Sequence, residues 1–207
     1  MLTPEQTEEE NNDGPTPEIS AYFQAIGKFV TVFSQIEKIL FATSGLVLRL
    51  PLPITQAVFS DSAGVQKCIE RINRTLNAAL KHWPNEQLTP IMKQDFENVF
   101  AQLSVISRVR NGVLHNGPEL GPGDEWSVTN RHLKPDGPTE IRISVAAVEA
   151  MCEDLAKITF VLIHYNIIME LGQPGLDDVY SEYINKPWRY SSPTSQQTSK
   201  KRQKNLE

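Results

Sequence analysis

The sequence predicts an all-α protein, an up-down helical bundle of four long helices with a small β-hairpin or loop insert before the last. Three observations carry this. Apolar residues recur at three-four spacing in four long runs, Pro- and Gly-containing breaks separate the runs, and only the stretch around 121–143 changes to a two-residue alternation.

The first run opens with Thr16 as a candidate N-cap, Pro17 at the first helical position and Glu18 facing the positive helix end. Phe23, Ile26, Phe29 or Val30, Phe33, Ile36 and Leu40 then form one apolar stripe, which predicts a helix to about Arg49. Leu50-Pro51-Leu52-Pro53 stops it. After a short segment through Phe59, Ser60-Asp61-Ser62 offers capping side chains. Val65, Ile69, Ile72, Leu76 and Leu80 predict a second helix that ends near Trp83-Pro84. A third begins around Leu88 or Thr89 and carries Phe96, Val99 or Phe100, Leu103, Ile106, Val113 and Leu114. Asn116-Gly117-Pro118 closes it, with Gly suited to a left-handed residue and Pro forbidding continuation.

Trp126 and Val128 then alternate with polar residues, as do Ile141 and Ile143, around Pro135-Asp136-Gly137-Pro138. That pattern predicts the small hairpin or ordered loop. A fourth helix spans about Val145 to Leu171. Ile158, Phe160, Val161, Leu162, Ile163, Ile167 and Ile168 make its second half apolar nearly all round. One protomer is not expected to bury them all, so a homodimer burying on the order of 1,600 Å² is predicted.

Charge divides the chain. Residues 1–18 carry six acids and no Lys or Arg, whereas 186–207 carry six Lys or Arg and the single acid Glu207. Residues 1–15 are expected to be a disordered acidic tail, 16–185 the helical domain and 186–207 a disordered basic tail. The domain between is mildly acidic, which argues against holding duplex DNA by broad phosphate neutralisation. Cys68 and Cys152 sit inside helical patterns and read as buried hydrophobes in a reducing compartment. The N-terminus lacks the order of a signal peptide, and the apolar stretch from Ile158 to Met169 is too short for a bilayer. A cytoplasmic location with no membrane partner is expected.

The candidate chemistry lies at the end of the third helix, in Arg108-Val109-Arg110-Asn111-Gly112-Val113-Leu114-His115-Asn116-Gly117. Arg108, Asn111 and His115 stand at i, i+3 and i+7 and share one helix face. Arg110 lies instead with Leu103, Ile106, Val113 and Leu114 on the apolar stripe. On an ideal helix it points about 140° from His115. Either the helix loosens at Gly112 or the two act in different places. Glu37 lies with Val30, Phe33 and Leu40 on the apolar side of the first helix, where an unpaired charge is costly, and is the candidate ion-pair partner of Arg110. His115 occupies the last turn of its helix, whose negative dipole end favours an imidazolium, and Asn111 stands one turn earlier to orient the ring. The plain alternative is a helix-end histidine that caps carbonyls.

On Arg110-Asn111-Gly112-Val113-Leu114-His115 the chain resembles the HEPN superfamily of helical ribonucleases, toxins and antiviral-defence proteins. The likeness covers about residues 19–172. It implies a metal-independent endoribonuclease with a toxin or phage-defence role and no cofactor. Its composite site would form from two Arg/His motifs at a homodimer interface, with an antitoxin or defence protein as a possible partner. Carried over, His115 is the general acid or base, Arg110 neutralises the phosphate and Asn111 positions the histidine. Arg108, at Arg-x6-His, competes for the arginine's role. RNA cleavage by 2′-OH attack needs a base, an acid and cations at the phosphate, which such a set supplies without a metal.

Lys67, Arg71 and Arg74, with Lys81, fall on one face of the second helix and either guide an RNA backbone or form a solvated face. His82, His132 and His164 have no Cys or carboxylate partner at metal-ligand spacing, so no metal is expected. No Gly-rich phosphate loop or Gly-x-Ser-x-Gly elbow occurs. The alternative function is a non-catalytic HEPN-like dimeric scaffold, or a module that binds a nucleotide or protein.

Overall fold

The computed structural model describes residues 17–59, 64–82, 88–116, 119–120, 126–130, 139–172 and 177–191. The protein is mostly helical. Its elements run α1 (Pro17–Leu48), α2 (Leu52–Phe59), α3 (Val65–His82), α4 (Pro90–Asn116), β1 (Glu119–Leu120), β2 (Trp126–Asn130), β3 (Thr139–Arg142), α5 (Val145–Leu171) and α6 (Asp177–Ile184). The four long helices make a bundle-like body in which α1 packs on α5 and α3, and α4 on the same two helices.

The apolar stripes become the core. Phe29, Phe33, Ile36 and Leu40 of α1 meet Ile72 and Leu76 of α3, Phe96, Phe100, Leu103 and Ile106 of α4, and Leu155, Ile158 and Leu162 of α5. Each is fully buried or nearly so, a contribution of roughly 1.5–3 kcal/mol per large side chain before entropy is counted. Polar residues inside the helices are satisfied locally: Thr43 and Ser44, both buried, donate to the carbonyls of Ile39 (2.9 Å) and Leu40 (2.8 Å).

By length and composition α1 is apolar enough to cross a membrane, although no span was expected. Here its apolar face is covered by α3 and α5, the packing of a core helix.

The end of α1 is a Schellman turn. Arg49 N donates to Leu46 O (3.1 Å) and Leu50 N to Gly45 O (2.9 Å), with Arg49 in the left-handed conformation at φ 54°. The Pro51–Pro53 stop is real, but the segment beyond it is not irregular: Leu52–Phe59 is helix α2. Pro51 O accepts from Ile54 N (2.9 Å) and Thr55 N (3.0 Å), and Pro is tolerated in a first turn because its missing N–H is not needed there. The Ser60-Asp61-Ser62 caps and Trp83-Pro84 lie outside the described residues. α3 starts instead on Gly64 O, which accepts from Lys67 N (2.9 Å). Thr89 caps α4 by accepting from Met92 N (3.1 Å).

β1, β2 and β3 form an antiparallel sheet in that order, with Val128 opposite Ile141. The Pro135–Pro138 turn lies outside the described residues. α5 occupies the expected Val145–Leu171, capped by Ser144, which accepts from Ala147 N (3.1 Å), and closed by Gly172 at φ 62°.

Three expectations need correction. Helix α6 was not foreseen, although Tyr180, Tyr183 and Ile184 have helical spacing. Residues Lys186–Ser191 were placed in a disordered tail, yet Tyr190 is buried and Trp188 packs against the core. Residues 1–15 and 192–207, the rest of the expected tails, lie outside the described residues, as does the expected N-cap Thr16. Finally, one protomer does bury most of the apolar half of α5. Ile158, Val161 and Leu162 are fully covered, Phe160 stacks on Tyr183 of α6 with centroids 4.8 Å apart, and of the residues named for the dimer face only Ile163 is exposed. Ile158, Val161 and Leu162 belong to the core built with α1, α3 and α4, while α6 covers Phe160, a contribution that a count of the four long helices omits.

Candidate functional site

Arg110 of α4 and Glu37 of α1 meet across a seam between the two helices. Phe33 and Ile36 fill the core beneath, so the next carboxylate along α1 emerges at the edge of the seam. Arg110 Nη2 stands 3.8 Å from Glu37 Oε1, with 26% of the arginine and 38% of the glutamate side chain exposed. The guanidinium carbon lies 5.2 Å from the centroid of the Phe33 ring, a cation–π placement. Arg110 Nη1 also donates to Asn111 Oδ1 at 3.1 Å. The expected ion pair is therefore present, but at a half-open seam and not inside the core.

Asn111 is exposed, and its side-chain oxygen is engaged by Arg110. α4 continues without a break through Gly112 to Asn116, so His115 stands in its last turn, as expected. An uninterrupted α-helix keeps the Cα–Cβ directions of Arg110 and His115 about 140° apart. The helix does not loosen at Gly112. The described side chains of α4 end at Val113, so the contacts of His115 lie outside them. Arg108 is exposed, on the face that Asn111 and His115 share.

On α3, Arg71 is half-buried, while Lys67 and Arg74 are exposed. Burial pushes the Cys68 thiol up, while Arg71 lowers it and Glu37 raises it. Ser104 Oγ donates to Gln66 Oε1 (3.2 Å), tying α4 to α3 beside Lys67. The structure brings Glu37, Arg110 and Asn111 into direct contact, and leaves Lys67 and Arg74 exposed on α3. Among the described residues, no three His, Cys, Asp or Glu side chains group as metal ligands.

Two polar constellations escaped the sequence reading. Asp154 of α5 is buried and accepts from Gln102 Nε2 (2.7 Å), Arg189 N (2.8 Å) and Tyr190 N (3.0 Å). Lys157, also buried, donates to Ile184 O (3.0 Å) and to Lys186 O. Burial lowers the Lys157 pKa, opposed by Asp154. Their signal was Asp154 and Lys157 at i, i+3, on the helix side that also carries Met151, Leu155 and Ile158. In the second, Tyr165 and Tyr180 both donate to Asp95 Oδ2, the former at 2.5 Å, and Tyr180 stacks on buried His164 with centroids 3.9 Å apart. Burial and the bond to Asp95 push the Tyr180 phenol far up. Both constellations fasten the C-terminal elements to α4 and α5.

No family model, curated protein or solved structure matches the chain.

Proposed function

We propose that the chain is a HEPN-type up-down four-helix protein that acts as a metal-independent endoribonuclease in the cytoplasm, in a toxin or phage-defence setting. The observation that carries this reading is Arg110. It is held in place by Glu37, Asn111 and the Phe33 ring, five residues before a histidine in the last turn of the same helix. A guanidinium fixed on three sides keeps open N–H groups for a phosphate and loses little rotamer freedom on binding.

Because Arg110 and His115 diverge around α4, one copy does not readily aim both at one phosphate. A homodimer that sets His115 of one copy against the arginines of the other meets the need. In that cleft His115 exchanges protons with the 2′-OH or the 5′ oxygen, and Arg110 or Arg108 offsets the phosphate charge. Asn111 holds Arg110 in addition to, or in place of, its expected role toward the histidine. Arg71, with Lys67 and Arg74, extends the positive surface along which single-stranded RNA approaches.

The test is cleavage of single-stranded RNA by purified protein in EDTA. His115→Ala should lower the rate by about 10²–10⁴-fold, the usual worth of general acid–base catalysis, while circular dichroism stays unchanged. Parent protein that neither cleaves RNA nor arrests growth on expression removes the nuclease.

The second reading is a non-catalytic dimeric scaffold that binds a protein or nucleotide. It is favoured by the engagement of Arg110 with Glu37, Asn111 and Phe33, which also suits a purely structural arginine.

A further inference from the structure

Helix α6 and the segment that follows it to Tyr190 lie against α5 and α4 as an arm, and side chains of the domain grip its backbone. Asp154 takes the N–H groups of Arg189 and Tyr190, and Gln102, which also binds Asp154, donates to Tyr190 O at 2.9 Å. One turn along α5, Lys157 takes the carbonyls of Ile184 and Lys186 and stands 4.2 Å from the centroid of the Trp188 ring. Asp154, Lys157 and Gln102 are all buried. Five of these contacts read main-chain atoms, so the groove recognises the end of α6 and the irregular segment after it by their backbone, with one aromatic side chain added.

A site of this kind does not distinguish the chain's own arm from that of another copy, since every contact is reproduced in exchange. The joint between domain and arm bears a second mark. It begins at Gly172, whose φ of 62° turns the chain away from α5. Leu171 before it and Val179 after it are exposed large apolar side chains, and Ile163 continues the exposed line two turns back on α5. In a closed protomer these three face solvent. Where two copies exchange arms, these exposed apolar side chains offer the two copies a like surface to pack on.

We propose that α6 and the segment through Tyr190 are an exchangeable arm, and that the homodimer forms when each copy's arm fills the α4/α5 groove of the other. This rests on the dimeric reading above and gives that dimer its contact. Within one chain the arm's effective concentration is on the order of millimolar, so exchange is favoured by high protein concentration or by folding in company.

Glu153 and Arg189 supply the test. They form an ion pair across the groove and arm at 3.3 Å, and both are mostly exposed, whereas the native Cys68 and Cys152 are buried. Full-length Glu153→Cys and Arg189→Cys chains are refolded together at high concentration and treated with a short bis-maleimide. The expected result is a product of two chains' mass that neither variant gives alone. A dimer by sedimentation that yields no such product overturns arm exchange and leaves the dimeric reading standing. A monomer throughout, again without the product, overturns both.

Discussion

Arg110 and Glu37 form an ion pair at 3.8 Å in a seam where a quarter of the arginine and over a third of the glutamate side chain remain exposed. Exposure on that scale screens the charges and lets water solvate either partner left alone. Such pairs contribute about 0–1 kcal/mol, far below the roughly 3–5 kcal/mol lost on breaking a buried one. Glu37→Gln is therefore expected to lower stability by no more than about 1 kcal/mol, a fall of about 2–4 °C for a domain of this size. Lys67→Ala, on an open helix face, should stay within about 0.5 kcal/mol of the parent. Thermal denaturation followed by circular dichroism decides, and a drop of 3 kcal/mol for Glu37→Gln would show that the pair is buried after all.

Asp154→Ala should be much more costly. It strands the N–H groups of Arg189 and Tyr190 and leaves Gln102 Nε2 with only its bond to Tyr190 O. Each buried donor left without a partner costs about 1–3 kcal/mol, so a loss above about 2 kcal/mol is expected in denaturant unfolding. Hydrogen exchange at Arg189 and Tyr190 should speed up before that of the α1 core amides. Equal protection in parent and variant would mean that Asp154 does not hold the arm.

Gly27 and Gly45 sit in the same helix and should respond in opposite directions. A Cβ on Gly45 would stand 2.6 Å from Thr55 Oγ1 and 3.2 Å from its Cγ2, and Thr55 is fully buried. That close approach lets α2 fold back on α1. Gly45→Ala is expected to cost about 1–3 kcal/mol by overpacking, set against at most about 1 kcal/mol of helix propensity. Thr55→Ala in the same chain should recover part of the loss, read as a coupling in a double-mutant cycle. Gly27 has nothing within 4 Å of an added Cβ, so Gly27→Ala should stabilise by about 0.5–1 kcal/mol.

Alkaline stability follows from the tyrosines. Burial raises the phenols of Tyr22, to about 12, and of Tyr190, while burial and the bond to Asp95 raise that of Tyr180. A group raised above its unfolded value of about 10 contributes stability that is whole below that pH and is lost as pH climbs toward the folded value. The contribution of these three rings should be whole below pH 10 and fall above it. Phenolate absorbance should then rise together with loss of helix. Tyrosines that ionise fully in the still-folded chain would contradict the burial of these three rings.

How much of this was legible beforehand differs from one feature to the next. The stripe Phe29–Phe33–Ile36–Leu40 and the stop at Pro51 set α1, because a period of 3.6 and a missing N–H act within a few residues. The same stripe put Glu37 on the side that faces Arg110. It gave no measure of how far the carboxylate emerges from the seam, since that depends on how Phe33 and Ile36 fill the space below. Nor did it show that Asn111 turns to Arg110, a choice made between neighbours on one finished helix.

The sequence by itself determined the helical class, the four long helices, the ends of α5 and the pairing of Glu37 with Arg110. All follow from local periodicity, caps and charge placed on a stripe. Only the tertiary structure decided that residues 186–191 pack with the domain and that most of the apolar half of α5 is covered within one protomer. The composition there, Lys-Pro-Trp-Arg-Tyr-Ser, gives no periodic signal. Its order comes from Asp154, Lys157 and Gln102, which are distant in sequence and satisfy its backbone only once α4 and α5 are packed together.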